Sequence, residues 1–267
     1  MGRIITSRDN AAIKALRALV KDSREIKRQG RTLIDGPHLL ECYRRRIGSP
    51  ALIVVSESGS GKPEIAGLLA DCPGAEVMTV ADGLFRDLSG VATPVGILGV
   101  IDVPPMPDDD IRGRCVMLDA VQDAGNVGAI LRTAAAAGIG DVVLGPGCAG
   151  AWTPRVLRAA QGAHFSLRLR EDCALETMVR RFRGESLAAM AGQGESLFGL
   201  NLSGDIAWIF GNEGSGIAPG LAGLATRRVT IPLASSTESL NVAAAAAVCL
   251  FETKRQRDLR GGENENR

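Results

Sequence analysis

The stretch LDAVQDAGNVGAILRTAAAAGI, Leu118 to Ile139, is the most informative passage of the chain for its fold. The apolar run Cys115–Leu118 stops at a polar loop, Gln122-Asp123-Ala124-Gly125-Asn126, and an alanine-rich helical segment carrying Arg132 follows. A short apolar run that passes through a polar loop into a helical stretch is the signature of a strand–helix unit. Similar apolar runs occupy Asp141–Leu144, Ser186–Met190, Ile206–Phe210 and Val229–Ile231, and a long alanine-rich helix is predicted from Leu240 to Leu259. Strands alternating with helices imply an α/β protein whose parallel sheet is covered on both faces. In such sheets ligands sit beyond the carboxyl ends of the strands, so the loops after these runs are the places to search.

Upstream the alternation is tighter. Asn10 to Gln29 reads as a capped, basic, amphipathic helix with apolar positions Ile13, Leu16, Leu19 and Val20. Strands are predicted at Thr32–Ile34, Leu52–Val55, Glu76–Val80 and Val95–Val100, with helices from Pro37, at Glu64–Ala70 and at Asp82–Leu88. DVPPMPDDDIRG, Asp102 to Gly113, has no periodicity and is rich in proline and aspartate, which marks a boundary. The expected organisation is a small α/β domain over residues 1–101, a linker over 102–112 and a parallel-sheet domain over 113–267.

Composition narrows the class. With 45% hydrophobic residues in 267, the chain is too apolar for disorder. No stretch reaches the roughly 18 apolar residues of a membrane span, and MGRIITSRDN lacks an apolar signal core, so a cytoplasmic protein with no membrane partner is expected. Cys42, Cys72, Cys115, Cys148, Cys173 and Cys249 lie at least 25 residues apart, and His38 and His164 are the two histidines; no metal site is expected. The formal net charge of +1 and 3% aromatics argue superficially against a nucleic-acid partner. The distribution says otherwise: residues 1–50 hold 12 basic and 5 acidic side chains, whereas residues 51–111 hold 2 and 10.

Two glycine loops fail as nucleotide sites. Ser60-Gly61-Lys62 lacks the first glycine of a P-loop and is followed by Pro63. Gly145-Pro-Gly147-Cys-Ala-Gly150 matches GxGxxG, with Glu171 some 20 residues on, yet it follows the second strand of its domain rather than the first, so a nicotinamide site is a distant alternative. Three segments are stronger together. In the first, Asn126 and Arg132 would lie about 120° apart if both were helical, so convergence requires Asn126 at the cap or in the loop. In the second, IFGNEGSGI (Ile209–Ile217), glycines permit close backbone approach while Glu213 disfavours a phosphate, which points to a neutral or cationic ligand. The third, IPLASSTESLNVAAAAAVCLFE (Ile231–Glu252), leads through a polar loop to a helix capped by Ser239 or a neighbour.

In this order, NVGAILRTA, FGNEGSGI and IPLASSTESLNVAAAAAV resemble the three motifs of the SpoU (TrmH-like) RNA 2′-O-ribose methyltransferases of the SPOUT superfamily, over about residues 113–260. ITSRDNAAIKALRAL and LIDGPHLLECY resemble, less strongly, the ribosomal-protein-like RNA-binding domain of that family. Asn212 stands where small residues also occur, and Leu233-Ala234-Ser235-Ser236 where methionine and glycine are common. The resemblance implies a deep trefoil knot in the C-terminal sheet, a homodimer packed through it, and S-adenosylmethionine contacted by backbone at Gly211, Ile231 and Leu240. It implies catalytic or site roles for Arg132, Asn126, Glu213, Ser239 and Asn241, with Arg132 steering the ribose 2′-hydroxyl proton. The expected activity is methylation of a ribose 2′-hydroxyl, most readily in 23S ribosomal RNA. The alternatives are a tRNA ribose methyltransferase and a non-catalytic RNA-binding protein of the same fold. RNA selection over DNA follows from the 2′-hydroxyl itself.

Overall fold

The computed structural model describes residues 4–265. In chain order the elements are α1 (Ala11–Lys21), α2 (Ser23–Gln29), β1 (Arg31–Asp35), α3 (Pro37–Arg46), β2 (Leu52–Ser56), α4 (Pro63–Ala70), β3 (Glu76–Val80), α5 (Asp82–Leu88), β4 (Ile97–Asp102), β5 (Cys115–Leu118), α6 (Ala124–Ala136), β6 (Asp141–Leu144), α7 (Pro154–Ala160), β7 (Arg168–Arg170), α8 (Leu175–Arg181), β8 (Glu185–Ala189), β9 (Glu195–Ser196), β10 (Ile206–Phe210), α9 (Pro219–Leu224), β11 (Arg227–Thr230) and α10 (Val242–Glu265). The chain divides into two compact units, one of Met1–Pro105 with Trp152–Phe165, the other of Met106–Ala151 with Ser166–Arg267.

The first unit holds a four-stranded sheet in the order β1-β4-β2-β3, in which β4 runs antiparallel to β1 and β2 while β2 and β3 are parallel. The predicted first helix is two. Asn10 caps α1, its Oδ1 accepting from the Ala12 and Ile13 amides. Asp22 then adopts an extended backbone and caps α2 by accepting from the Arg24 amide at 2.8 Å. The apolar stripe runs on through both helices, so periodicity hides a break that aspartate's capping chemistry creates. Trp152–Phe165 joins this unit although it lies far along the chain. The Thr32 hydroxyl donates to the Trp152 carbonyl at 2.6 Å, Arg158 donates to Asp35 at 2.8 Å, and the Tyr43 and Phe165 rings meet edge-on at 5.3 Å. Lys62 of the failed P-loop donates its ammonium to the Val95 carbonyl at 2.6 Å and so helps close its own loop.

The second unit is built on a seven-stranded sheet in the order β7-β6-β5-β10-β8-β11-β9, with every pair parallel. Such strands are buried on both faces, and β5, β6 and β10 are buried at every residue. β7 escaped sequence reading because its residues are Arg168, Leu169 and Arg170 rather than an apolar run. Arg170, only 3% exposed, donates to Asp141 and to the carbonyl and carboxylate of Asp109, while Arg168 reaches the same two aspartates. A buried cation persists only when paired and hydrogen-bonded. The acidic run of the expected linker is therefore held against β7, and Asp110 is held by Arg181 on α8. α10 packs on α6 and is fastened to β10 through the Trp208 indole, which donates to Thr253 at 3.0 Å. Because the sheet is wholly parallel, the loops after β5, β10, β8 and β11 leave from one edge.

Candidate active site

At that edge lies a cavity of about 600 Å³. Its walls are Ala189 to Ala191 at the end of β8, Phe210 to Gly214 and Gly216 at the end of β10, Val229 to Ile231 and Leu233 at the end of β11, then Glu238 to Asn241, and finally Val242 and Ala245 of α10. Gly211, Glu213, Ile231, Ser239, Leu240 and Asn241, all singled out from the sequence, line this one space. Met190 and its neighbours were missed, although the strand-end rule applied to β8 points to them.

The loop after β10 is held from within. The Asn212 amide donates to the Gly216 carbonyl at 3.0 Å, and the Gly216 amide returns a bond of 2.9 Å. Asn212 Oδ1 accepts from the amides of Gly214 and Ser215, and its Nδ2 donates to the Ala120 carbonyl at 2.8 Å. Gly211 is obligatory, because a Cβ there would sit 2.2 Å from the backbone carbon of Gly216. Ala120 takes a positive φ of 52°, uncommon for a residue with a Cβ, and its carbonyl is the one that Asn212 binds. No periodicity or spacing signalled this role for Asn212.

This loop delivers Glu213 to the start of α6. Its carboxylate accepts from the Gln122 amide at 3.3 Å, the Asp123 amide at 3.2 Å and Asn126 Nδ2 at 2.9 Å. Asn126 Oδ1 accepts from Asn241 Nδ2 at 3.0 Å, and Asn241 Oδ1 accepts from the Ala243 and Ala244 amides at the head of α10. A single directional line of hydrogen bonds thus joins all three motif segments, and it sets the orientation of both asparagine amides. Partial burial pushes the Glu213 pKa up, but donation from Asn126 and from backbone amides outweighs it and leaves the carboxyl below its ordinary range. The group is ionised at neutral pH.

Three local expectations change. The cap of α6 is Asp123, which accepts from the Asn126 amide at 2.8 Å, so Asn126 lies inside the first turn. The cap of α10 is Asn241 rather than Ser239, whose hydroxyl makes no hydrogen bond with the described residues. With both helical, Asn126 and Arg132 point about 120° apart, some 9 Å along the axis. Arg132 is exposed, is absent from the cavity wall, and makes no hydrogen bond or ion pair among the described residues. The convergence of Asn126 and Arg132 that the sequence allowed does not occur within the chain. The GxGxxG loop is likewise no ribose site, since Glu171 accepts from the Ala151 amide at 2.6 Å.

A parallel sheet with an acid-walled, glycine-lined cavity at its strand ends, closed by the first turn of α10, is the ligand-site arrangement of an α/β enzyme. Residues 113–251 match the SpoU rRNA Methylase family, and the chain belongs to that family. It is an S-adenosylmethionine-dependent RNA 2′-O-methyltransferase, and the trefoil knot of its second unit is implied by the same membership. The 23S rRNA (guanosine(2553)-2′-O)-methyltransferase RlmP of Bacillus subtilis is 30% identical over 83% of this chain and 88% of that protein. A solved RNA 2′-O ribose methyltransferase is 26% identical, with a TM-score of 0.82 over 96% of this chain and 99% of its own. An AdoMet-bound rRNA methyltransferase from Sinorhizobium meliloti shares the fold at 24% identity, with a TM-score of 0.83 over 95% and 97% of the two chains.

Proposed function

We propose that this enzyme methylates a ribose 2′-hydroxyl of large-subunit ribosomal RNA in the cytoplasm, acting as a homodimer packed through its second unit. The observation that carries the reading is the Glu213–Asn126–Asn241 line, which ties the first motif segment to the two segments that wall one cavity. The residues present suit S-adenosylmethionine: about 600 Å³ is an ordinary ligand-site volume, and the wall mixes apolar backbone with carboxylate. Gly211, Ile231 and Leu240 would hold it by backbone. When bound, it supplies a sulfonium-activated methyl group.

The chain's own residues then have separable tasks. Glu213, Asn126 and Asn241 are bonded to one another and position the cavity wall. Ser239, with its hydroxyl free, is available to an RNA phosphate. Arg132 is available to the reacting ribose; a guanidinium is by nature a donor rather than a base, so it steers the hydroxyl and stabilises charge while the proton leaves toward phosphate or water. Since Arg132 stands off the cavity of its own chain, a dimer gives it a route to the partner's cavity. Phe251 and Leu259, exposed on α10, suit such an apolar contact. The first unit supplies RNA affinity: Arg17, Lys21 and Arg24 on α1 and α2 are cations without partners among the described residues. No helix among the described residues is long and apolar enough to cross a membrane.

Incubating the protein and tritium-labelled S-adenosylmethionine with separated 23S, 16S and transfer RNA tests the assignment. Label is expected in 23S RNA alone, in a dinucleotide resistant to alkali because its 2′-oxygen is blocked. Label in transfer RNA, or in none, overturns it.

A further inference from the structure

The cavity wall carries two carboxylates, Glu213 and Glu238, and no lysine, arginine or histidine. They differ in their surroundings. Glu213 is bound by three donors. Glu238 makes no hydrogen bond or ion pair with any described residue, and it is exposed. Its position follows from the turn before it, where the Thr237 amide donates to the Ala234 carbonyl at 2.9 Å and delivers the next residue to the cavity wall. At the head of α10 the amides of Ala243, Ala244 and Ala245 go to Asn241 Oδ1 and the Asn241 carbonyl rather than to this carboxylate.

We infer that Glu238 is a specificity-determining residue, an unopposed negative charge that makes the cavity hold the sulfonium form of its ligand more tightly than the neutral thioether left after transfer. The inference rests on the cavity being the S-adenosylmethionine site. Methyl transfer removes one positive charge from that space: the ribose oxygen gains the carbon and loses its proton, and sulfur keeps the electron pair of the broken carbon–sulfur bond. Substrate and product differ in charge at one atom while sharing adenosine, ammonium and carboxylate, so shape contributes little to telling them apart. A carboxylate on the wall acts on that difference and favours exchange of spent product for fresh donor. For a solvent-facing charge the Coulomb effect amounts to about three- to ten-fold in relative affinity.

Isothermal titration of the full-length protein with S-adenosylmethionine, S-adenosylhomocysteine and sinefungin, whose amine replaces the sulfonium, tests this without RNA. Glu238→Gln is expected to lower the preference for S-adenosylmethionine over S-adenosylhomocysteine by about three- to ten-fold. The preference for sinefungin should fall in parallel and Glu238→Asp should keep most of both, while added salt narrows the wild-type preference. Equal weakening of all three ligands would mark a merely structural role and overturn the inference, as would an unchanged ratio. Wild-type protein that binds none of the three sinks the cavity assignment itself, a result distinct from binding with an unmoved ratio.

Discussion

The first turn of α6 and its later exposed face are six residues apart in sequence and opposite in character. At the first turn, Asn126 gives its Nδ2 to Glu213 and its Oδ1 to Asn241, leaving neither end of the amide free. On the exposed face, Arg132 has no partner among the described residues. The bonded groups hold the loops at the cavity in register, while the free cation remains available to a ligand outside the chain. Motif membership alone draws no such line, since all these residues count equally as pattern.

The sharpest way to break the contrast is Arg132→Ala. Methyl transfer should fall by about 10²- to 10³-fold, the range for loss of one charge-stabilising donor. S-adenosylmethionine affinity by titration and thermal stability should stay at wild-type values. A variant that turns over normally removes Arg132 from the reaction, and one that loses cofactor binding shows that it was part of the wall after all.

The same contrast extends to the first unit. Replacing Arg17, Lys21 and Arg24 by alanine should weaken RNA binding by about ten-fold or more near physiological salt. It should also reduce the slope of log affinity against log salt by roughly one for each phosphate no longer neutralised. Cations already engaged in the chain, such as Arg28 with Glu25 or Arg45 with Glu41, should move that slope far less.

A smaller effect is expected at the locked end. Glu213→Gln should destabilise the protein by about 1 kcal/mol, the scale for an exposed, charge-assisted cluster. Because the folded pKa lies below the ordinary glutamate value of 4.5, the carboxylate's contribution is complete above that value and is lost as pH falls through the lower folded one. Melting temperatures of the wild type and the variant should therefore differ at pH 7 and converge in acid. Curves that stay parallel below pH 4 contradict the line's dependence on ionised Glu213.

The smallest effect separates a continuous line from neighbouring bonds. Asn126→Ala and Asn241→Ala, singly and together, should show a coupling of about 0.5–1 kcal/mol in a double-mutant cycle. Strict additivity means that the 3.0 Å bond between them carries no weight.

Much of the molecule is legible in the linear chain, and the parts that are not share a cause. The strands Glu76–Val80, Cys115–Leu118, Asp141–Leu144 and Ile206–Phe210 and the helix Asp82–Leu88 have the limits that their periodicity predicts. Local pattern suffices there because one face or both faces of the element are buried. β7 carries two arginines, and its place is set by Asp141 and Asp109, far away in sequence. The break at Asp22 depends on one capping bond that leaves the apolar stripe unchanged.

Sequence alone was enough for the α/β class, the three motif loops, the family, and a basic head hidden beneath a net charge of +1. These are properties of residue type, order and spacing. Only the folded chain could decide which polar groups are spent on one another, because hydrogen-bond partners come from segments up to 123 residues apart. That accounting bonded Asn126 to the cavity-wall residues Glu213 and Asn241, left Arg132 outside the line, gave Asn212 a purpose, and drew Trp152–Phe165 into the first unit.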